Sequence, residues 1–420
     1  MYTPPSKLLV EYLQRLYDNG MTTTSGGNLS IKDSDGAIWI TPAGIDKGTL
    51  RPVDIMKVLA DGTVVGLHKP SSEFPFHRHI YKARPGVRAV LHAHAPAIVA
   101  FSCVRRIPNV KLVPGAAELC GKVEFAPYAI PGSEALGDMI AAQIEKGADS
   151  VVMENHGAVV CGDSIEQCFQ RYEALDYVAR IELAVAGLGD VFPLSGAKAP
   201  AKWPQFKPGE PSSLECELRD SLAAFHARCY RQGLFYSGNA FIAARLGDDD
   251  FLATAANTDA LHACPCSFVR IKDGAREAGK TPAFPAAFAR EVFKAAPWAG
   301  SVYLTRSSNI TAFAATGKPF DSRTIPESYI LLRDVETVKA ADFYADPAAV
   351  AAKLTPRSPA LLIESVGLVT VGKTILEGFD RMEVAEFTAK CLLLASRIGT
   401  LSPITKPQVN ALVKAFKLPK

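Results

Sequence analysis

Four side chains in the first half of the chain have the types and spacing of a metal-binding site. His92 and His94 are two residues apart at the end of an apolar segment, so on a β-strand both imidazoles would point to the same face. His156 stands in a Glu-Asn-His-Gly turn between two apolar runs, where a loop could present a third imidazole. Glu73 follows two serines at the start of a predicted helix. Three imidazoles and a carboxylate are a usual ligand set for zinc-like cations.

The alternative is that these are ordinary buried, hydrogen-bonded side chains, and an internal repeat helps to decide between the two. Residues 151–181 align without a gap on 361–391, and KARP at 82–85 matches KAAP at 294–297, an offset of 212. In the second half Leu304 replaces His92, Arg306 replaces His94, Pro285 replaces Glu73 and Val366 replaces His156. Residues needed only for the fold would be expected to vary independently of one another. Arg306 also cannot ligate a metal, because arginine keeps its proton. The joint replacement predicts a metal site in the first half and none in the second.

Three short loops near these residues are suited to bind an anion. They are Ser25-Gly26-Gly27-Asn28, Thr41-Pro42-Ala43-Gly44 and Lys69-Pro70-Ser71-Ser72. Glycine turns, and helix N-termini with small hydroxyl residues, expose backbone N–H groups that hold phosphate or carboxylate. The second half has Ser237-Gly238-Asn239 but no counterpart of the Ser-Ser-Glu segment. The first half is therefore predicted to hold an anion pocket beside the metal.

Two further histidines, His77 and His79, lie on the helix that follows Glu73. Residues two apart on a helix do not share a face, so they cannot bind one ion together. We expect both to be structural or surface residues, with support of the metal site by His77 as the alternative.

The elements that must position these residues follow a mixed α/β pattern that occurs in both halves. Helices are predicted over about 6–19, 73–84, from Ser133 onward and over 164–186, and strands over 28–32, 37–41, 54–59, 87–92, 150–153 and 158–161. A segment rich in Pro, Gly and Ser follows the last helix. We predict one domain over 1–195, a linker over 196–211 and a second domain over 212–420.

Composition excludes several functional classes. A formal net charge of +3 without a run of five basic residues does not favour nucleic-acid binding. No apolar stretch reaches the roughly 18 residues of a membrane span, and the N-terminus lacks the pattern of a secretory signal. Nine scattered cysteines predict reduced thiols and a cytoplasmic protein, with Cys264-Pro-Cys266 as buried structural thiols rather than a metal site.

Six segments of the first half carry a resemblance to a known family. They are SGGNLSI, ITPAGI, KPSSE, RPGVRAVLHAHAPA, FAPYAIPGS and ENHGAVVCG. With these motifs the first half resembles the class II aldolase/adducin family, in particular domains of the L-fuculose-phosphate aldolase type. The second half resembles the same domain in outline and is a degenerate copy.

The resemblance implies an α/β (α+β) fold of two tandem domains, each a central, mostly antiparallel sheet flanked by helices. It implies a divalent metal, most often Zn²⁺ with Mn²⁺ or Co²⁺ as alternatives, held by His92, His94 and His156. Glu73 would be the acid/base and would also ligate the metal when no substrate is bound. The resemblance assigns the substrate phosphate to Asn28, Thr41, Gly44, Ser71 and Ser72.

The activity that this implies is that of a metal-dependent lyase, which cleaves a phosphorylated ketose through a metal-stabilised enediolate. The family's aldolases carry a tyrosine after the HxH strand, whereas residues 108–113 contain none. A decarboxylase or epimerase of a sugar acid phosphate therefore stays open as an alternative, as does a non-catalytic, adducin-like binding protein. The resemblance also implies a homo-oligomer, here a dimer of tandem chains that forms a pseudo-four-fold ring.

Overall fold

The computed structural model describes residues 3–113, 115–186, 188–189, 191–192, 202–236 and 240–418. The chain divides into two units, Met1–Leu183 and Ala184–Lys420, which are called unit 1 and unit 2. Part of the predicted linker over 196–211 lies outside the described residues, as does Ser237-Gly238-Asn239. The predicted domain limits at 195 and 212 stay predictions.

Unit 1 contains the helices and strands that its apolar patterns predict, together with two further strands and two further helices that they did not. Its strands are β1 Asn28–Lys32, β2 Ile38–Ile40, β3 Met56–Val58, β4 Val64–Val65, β5 Ala89–Ala93, β6 Val123–Ala126, β7 Ser150–Met153 and β8 Gly157–Gly162. Its helices are α1 Pro5–Asp18, α2 Phe74–Ala83, α3 Pro96–Cys103, α4 Ala116–Cys120, α5 Glu134–Glu145 and α6 Ile165–Val185. The helix expected from Ser133 begins as predicted, because the Ser133 side chain accepts the N–H of Leu136.

The sheet of unit 1 has the order β4-β3-β2-β1-β5-β8-β7-β6. Only the edge pair β6–β7 is parallel among its described strand pairs. Alternate residues of β5 face opposite sides: Leu91 packs with α1, α3 and α6, whereas Val90 packs with α2 and α5. His92 lies on the same side as Val90 and meets Phe76 of α2 edge-on. Helices thus cover both faces, and β5 directs His92 toward α2.

Unit 2 repeats this architecture. Its strands are β9 Gln205–Phe206, β10 Phe241–Gly247, β11 Asp250–Thr254, β12 Phe268–Lys272, β13 Ala275–Glu277, β14 Ser301–Thr305, β15 Glu336–Val338, β16 Ala360–Ile363 and β17 Gly367–Gly372. Its helices are α7 Ser213–Arg231, α8 Ala286–Ala295, α9 Ser308–Thr316, α10 Pro326–Leu332, α11 Ala340–Ala345, α12 Pro347–Ala351, α13 Ile375–Ala395 and α14 Lys406–Ala415. The sheet order, β15-β16-β17-β14-β10-β11-β12-β13-β9, matches unit 1 with β9 added at one edge. The predicted tandem of mostly antiparallel sheets flanked by helices is confirmed.

The strand register corrects one detail of the predicted repeat. Asn28 of β1 pairs with His92 of β5, whereas the residue that pairs with Leu304 of β14 is Phe241. Over β1 to β3 the counterpart in unit 2 therefore lies one residue later than the offset of 212 gives. The single offset fails there because a sheet fixes its register by strand pairing, and loops between strands absorb an inserted residue.

The cysteine prediction is wrong for one pair. Cys264 and Cys266 form a disulfide, with their Cα atoms 5.2 Å apart. Cys266 is exposed, so the pair is not a set of buried thiols. Their separation lies within the range that a disulfide spans, although two residues of separation alone could not predict it.

No helix among the described residues is both long and apolar enough to cross a membrane.

Candidate active site

The three predicted histidine ligands converge at one end of the unit 1 sheet. His92 lies near the end of β5, His94 follows the strand by one residue, and His156 lies in the turn between β7 and β8. Their nearest ligand atoms all lie within 4.8 Å of one another. The turn places His156 because Asn155 adopts a left-handed conformation with φ of 55°.

A hydrogen bond on the side of the ring that faces away from the other histidines fixes the orientation of His92. Its Nδ1 lies 2.9 Å from the carbonyl oxygen of Ala158. A carbonyl can only accept a hydrogen bond, so Nδ1 carries a proton and Nε2 faces the other histidines. This is the arrangement that a metal-binding imidazole requires.

Two glycines allow the backbone to approach His94 closely. A Cβ atom at Gly26 would lie 2.6 Å from His94 Nδ1, and one at Gly157 would lie 3.0 Å from His94 Cδ2 and 2.6 Å from the Ala93 carbonyl. Any larger residue would displace the imidazole or the loop. The glycine-rich turn at Ser25–Asn28 is therefore needed to seat His94.

Glu73 joins the cluster from the N-terminus of α2. Its Oε2 lies 3.3 Å from His92 Nε2 and accepts a hydrogen bond of 2.7 Å from Asn28 Nδ2. Its Oε1 lies 3.3 Å from His156 Nε2. That oxygen is buried and has no hydrogen-bond partner among the described residues. Both oxygens of Glu73 thus face histidines, and the Asn28 hydrogen bond fixes Oε2 while Oε1 has no such bond.

The protonation states suit metal binding. Burial and the neighbouring imidazoles lower the pKa of His94 to about 3 and that of His156 to about 4, so both rings are neutral near pH 7. Burial alone would raise the pKa of Glu73. The imidazoles of His92 and His156 and the Asn28 hydrogen bond outweigh it and lower that pKa below its usual range. The neutral imidazoles of His94 and His156, beside a carboxylate whose pKa is lowered, are suitable donors for a cation.

These residues fit a divalent cation on geometric grounds as well. His92 and His94 hold their Nε2 atoms 2.8 Å apart, a distance at which two lone pairs repel unless a proton or a cation lies between them. Glu73 Oε1 is a further buried atom with a lone pair for a cation, and it has no hydrogen-bond partner among the described residues. A cation bound by the three imidazoles and this carboxylate would satisfy all of these atoms.

A cavity of about 260 Å³ opens beside the cluster. It is lined by Ser25, Gly26, Gly27, Asn28, Pro42, Ala43, Gly44, Lys47, Ser71, Ser72, Glu73, His94, Pro131 and His156. The three loops predicted to bind an anion therefore meet at one cavity next to the histidines.

Thr41 stands apart from the other predicted phosphate contacts. It is fully buried and does not line the cavity. Its hydroxyl accepts the N–H of Leu29, and Thr254 accepts the N–H of Ile242 at the same place in unit 2. In both units this hydroxyl accepts a backbone N–H at the end of a pair of strands. The assignment of Thr41 to phosphate binding stays a prediction.

Lys47 is a residue of the cavity that the sequence patterns did not single out. Its side chain is buried, and the ammonium group donates a hydrogen bond to the carbonyl of Pro42. Burial lowers the pKa of Lys47 to about 8. A buried ammonium that lines a cavity beside hydroxyl groups is suited to bind an anion. The only signal in the sequence is its position just after the Thr-Pro-Ala-Gly turn.

The corresponding positions of unit 2 carry no metal ligands. Leu304 and Val366 belong to an apolar core, and Arg306 donates a hydrogen bond of 2.6 Å to the Val366 carbonyl. The turn itself persists, since Ser365 has a φ of 56° like Asn155. The backbone of the site is thus present in both units, and its chemistry is present in one.

Comparison with known proteins assigns the family. The model of the class II aldolase and adducin N-terminal domain matches residues 7–183 and, a second time, residues 220–393. The chain belongs to this family. The resemblance drawn from the motifs of unit 1 is confirmed, and the second match shows that unit 2 is a further member domain.

Relatives of this class II aldolase family align with less than half of the chain. The 3-oxo-tetronate 4-phosphate decarboxylase of Escherichia coli K12 is 32% identical over 169 residues, which are 39% of this chain and 79% of that protein. The L-fuculose phosphate aldolase of Methanococcus maripaludis is 33% identical over 180 residues, 43% of this chain and 96% of that protein. Among solved structures, YgbL from Escherichia coli is 30% identical, with a TM-score of 0.41 over 44% of this chain and 89% of that protein.

Proposed function

We propose that the chain is a metal-dependent lyase of the aldolase type that acts on a phosphorylated sugar. The observation that carries this proposal is the meeting of three imidazoles with the unpartnered Oε1 of Glu73, beside a cavity lined by Ser71, Ser72 and Lys47. One side of the site is suited to a cation and the other to an anion, which matches a substrate with a carbonyl near a phosphate.

His92, His94 and His156 would hold the cation, with Glu73 as a further ligand when no substrate is bound. The cation would most often be Zn²⁺, with Mn²⁺ or Co²⁺ as alternatives. When bound, it would supply Lewis acidity at the substrate's carbonyl oxygen. Glu73 would move the proton at the carbon whose carbon–carbon bond breaks, because its free oxygen faces the cluster. His92 stays oriented by Ala158 throughout.

The phosphate would lie in the cavity. Four of the proposed phosphate contacts, Asn28, Gly44, Ser71 and Ser72, line this cavity, and Lys47 would add a positive charge. Gly44 has a φ of 68°, which glycine adopts without strain and which lets the turn direct its backbone toward a ligand. Thr41 would contribute by holding the strand end beside this turn.

Two reactions are compatible with this site. In aldol cleavage of a ketose phosphate, the Glu73 carboxylate would take the proton of the hydroxyl on the carbon that becomes the aldehyde. As the carbon–carbon bond breaks, an enediolate is left, and Glu73 would return that proton to its carbon. Decarboxylation of a 3-oxo sugar acid phosphate leaves an equivalent enediolate after loss of carbon dioxide, and an epimerase could use the same site. The name of the Escherichia coli relative favours the decarboxylase as the second candidate. An adducin-like, non-catalytic protein is the third, against which the complete donor set of unit 1 argues.

The test is a substrate screen with the metal-loaded full chain. Ketose 1-phosphates would yield an aldehyde and dihydroxyacetone phosphate, and 3-oxo sugar acid phosphates would release carbon dioxide. We expect turnover in one class, with losses of at least about 100-fold in His92→Ala and Glu73→Gln, since each removes a ligand or the acid/base. Wild-type turnover in both variants would exclude the assigned site, and an inert wild type would exclude lyase activity on these substrates.

The assembly is a separate proposal. A homo-oligomer, formed as a dimer of tandem chains in a pseudo-four-fold ring, would explain why unit 2 keeps its frame without its ligands. Measurement of the native mass tests it, since a monomeric mass at the concentrations used for activity would contradict the ring.

A further inference from the structure

A chain of hydrogen bonds runs behind Glu73 through Asn28 to three buried residues, His77, Ser30 and Tyr81, to which the proposed reaction gives no role. Tyr81 Oη lies 2.8 Å from Ser30 Oγ, and Ser30 Oγ lies 2.7 Å from His77 Nδ1. His77 Nε2 lies 2.5 Å from Asn28 Oδ1, and Asn28 Nδ2 donates to Glu73 Oε2. Ser30 and His77 are fully buried. We call these five residues the donor chain.

The ionised carboxylate of Glu73, at one end of the donor chain, fixes the direction of every hydrogen bond in it. The ionised carboxylate of Glu73 can only accept, so the NH₂ group of Asn28 faces it and the amide oxygen faces His77. That oxygen also only accepts, so His77 carries a proton on Nε2. Nδ1 of the neutral ring then accepts from Ser30, and Ser30 accepts from Tyr81. All the donors point toward Glu73.

The donor chain determines how Glu73 presents its two oxygens. Oε2 is held by Asn28, whose backbone pairs with His92 across β1 and β5. Oε1 is left without a hydrogen bond at 3.3 Å from His156. If the Asn28 amide turned over, its oxygen would face the carboxylate and repel it. His77 prevents that turn because its Nε2–H bonds only to the amide oxygen.

Unit 2 shows that the fold does not need these polar groups. At the positions of Asn28, Ser30, His77, Tyr81 and Glu73, unit 2 has Phe241, Ala243, Ala289, Phe293 and Pro285. The first four of these belong to one buried apolar core. Burying polar side chains is costly unless each is hydrogen-bonded, and an apolar packing of the same frame exists in the same chain. The donor chain therefore serves the site of unit 1.

We propose that His77 is a positioning residue, which acts through Asn28 to hold the Glu73 carboxylate in the orientation that proton transfer needs. This inference rests on the proposed function and adds to it a residue that touches neither substrate nor metal. The Asn28 amide has no proton that it can readily pass on, so the donor chain orients Glu73 and does not relay protons to it.

Two substitutions at His77 and one matched control test the role. His77→Leu fills similar space without a donor, and His77→Gln keeps an N–H that can reach Asn28. His226→Leu removes another fully buried histidine, located in unit 2 outside the donor chain. We expect kcat to fall about 10- to 100-fold in His77→Leu with KM within about threefold and metal content unchanged. His77→Gln should recover about tenfold of that loss, and His226→Leu should keep wild-type kcat.

A second measurement does not depend on activity. In the metal-free wild type, ¹⁵N-histidine NMR should find the ring proton of His77 on Nε2, while His92 carries its proton on Nδ1. A proton on Nδ1 of His77 would overturn the proposal, and so would a His77→Leu enzyme with kcat within twofold of wild type at full metal content. If the wild type turned over no substrate, the tautomer would still decide whether the donor chain exists. Failure of the proposed function is thus distinguishable from failure of this inference.

Discussion

Lys47 combines burial with a charge that the proposed phosphate would need. Its pKa is lowered to about 8 by burial, so the side chain is charged below that pH and neutral above it. We expect kcat/KM of the wild type to fall above about pH 8, since this ratio reports the free enzyme. In Lys47→Arg the fall should disappear, because guanidinium keeps its charge. In Lys47→Met KM should rise about 10- to 100-fold below pH 8, and the difference from the wild type should shrink above pH 8, where Lys47 itself is neutral. An unchanged fall in Lys47→Arg would assign the titration to another group.

The close approach of Gly26 to His94 leads to a prediction about the position of that imidazole. A Cβ atom there would lie 2.6 Å from Nδ1 of that ring, so Gly26→Ala should displace a ligand. We expect the dissociation constant of the metal to rise about 10- to 100-fold, as for other changes behind a ligand. Gly86→Ala is the control, because an added Cβ would meet nothing within 4 Å. Equal affinities in the two variants, measured by competition with a chelator, would contradict the role of Gly26.

Among the individual residues of the site, the sequence predicted those whose geometry depends only on their spacing along the chain. Two histidines two apart on a strand share a face whatever surrounds them, and the repeat separated them from ordinary histidines. Lys47 and His77 were not assigned their places, because their burial depends on loops and on a helix packed from elsewhere in the chain. Nothing in the residues next to a lysine tells whether its ammonium faces solvent or a cavity.

The turn before His156 supplies a prediction at the scale of elements. Asn155 and Ser365 adopt the same left-handed conformation in equivalent turns. A β-branched residue there costs about 1–2 kcal/mol, so Asn155→Val and Ser365→Val should lower the unfolding free energy by similar amounts. Only Asn155→Val should weaken metal binding, because only that turn carries a ligand.

The readouts are thermal unfolding and metal content, with Asn155→Gly as the control. Glycine adopts this conformation freely, so the variant should keep the metal. Metal loss in Ser365→Val, or full metal affinity in Asn155→Val, would show that the turn does not position His156 as described.

Most helices and strands of unit 1 follow their predicted limits within a few residues, and the exceptions have physical causes. Helix α3 was not predicted, because Pro96–Cys103 is apolar throughout most of its length and lacks the polar face that reveals helical periodicity. The predicted alignment of β1 with β10 was off by one residue, because the offset of 212 was taken from KARP and KAAP, whereas strand pairing matches Asn28 with Phe241. Patterns along the chain predict elements better than they predict pairing between them.

The described residues contain two copies of one fold and one group of three histidines that could hold a metal ion. We expect one divalent ion per chain of 420 residues, bound in unit 1, and none in His92→Ala. Metal analysis of the purified full chain together with its protein concentration gives the ratio. Two ions per wild-type chain would mean that unit 2 binds metal through residues other than those aligned with His92, His94 and His156.

The donor chain also limits how unit 1 can change by single substitutions. Replacing Ser30 alone by alanine leaves His77 Nδ1 buried without a partner, at a cost of about 1–3 kcal/mol against a net stability of roughly 5–15 kcal/mol. Each further substitution leaves another polar group of the donor chain without a hydrogen-bond partner, until all five positions are apolar. Unit 2 has such an apolar core around Phe241 and Phe293. Loss of these polar groups one at a time therefore passes through less stable intermediates, whereas their joint replacement gives an apolar packing like that of unit 2.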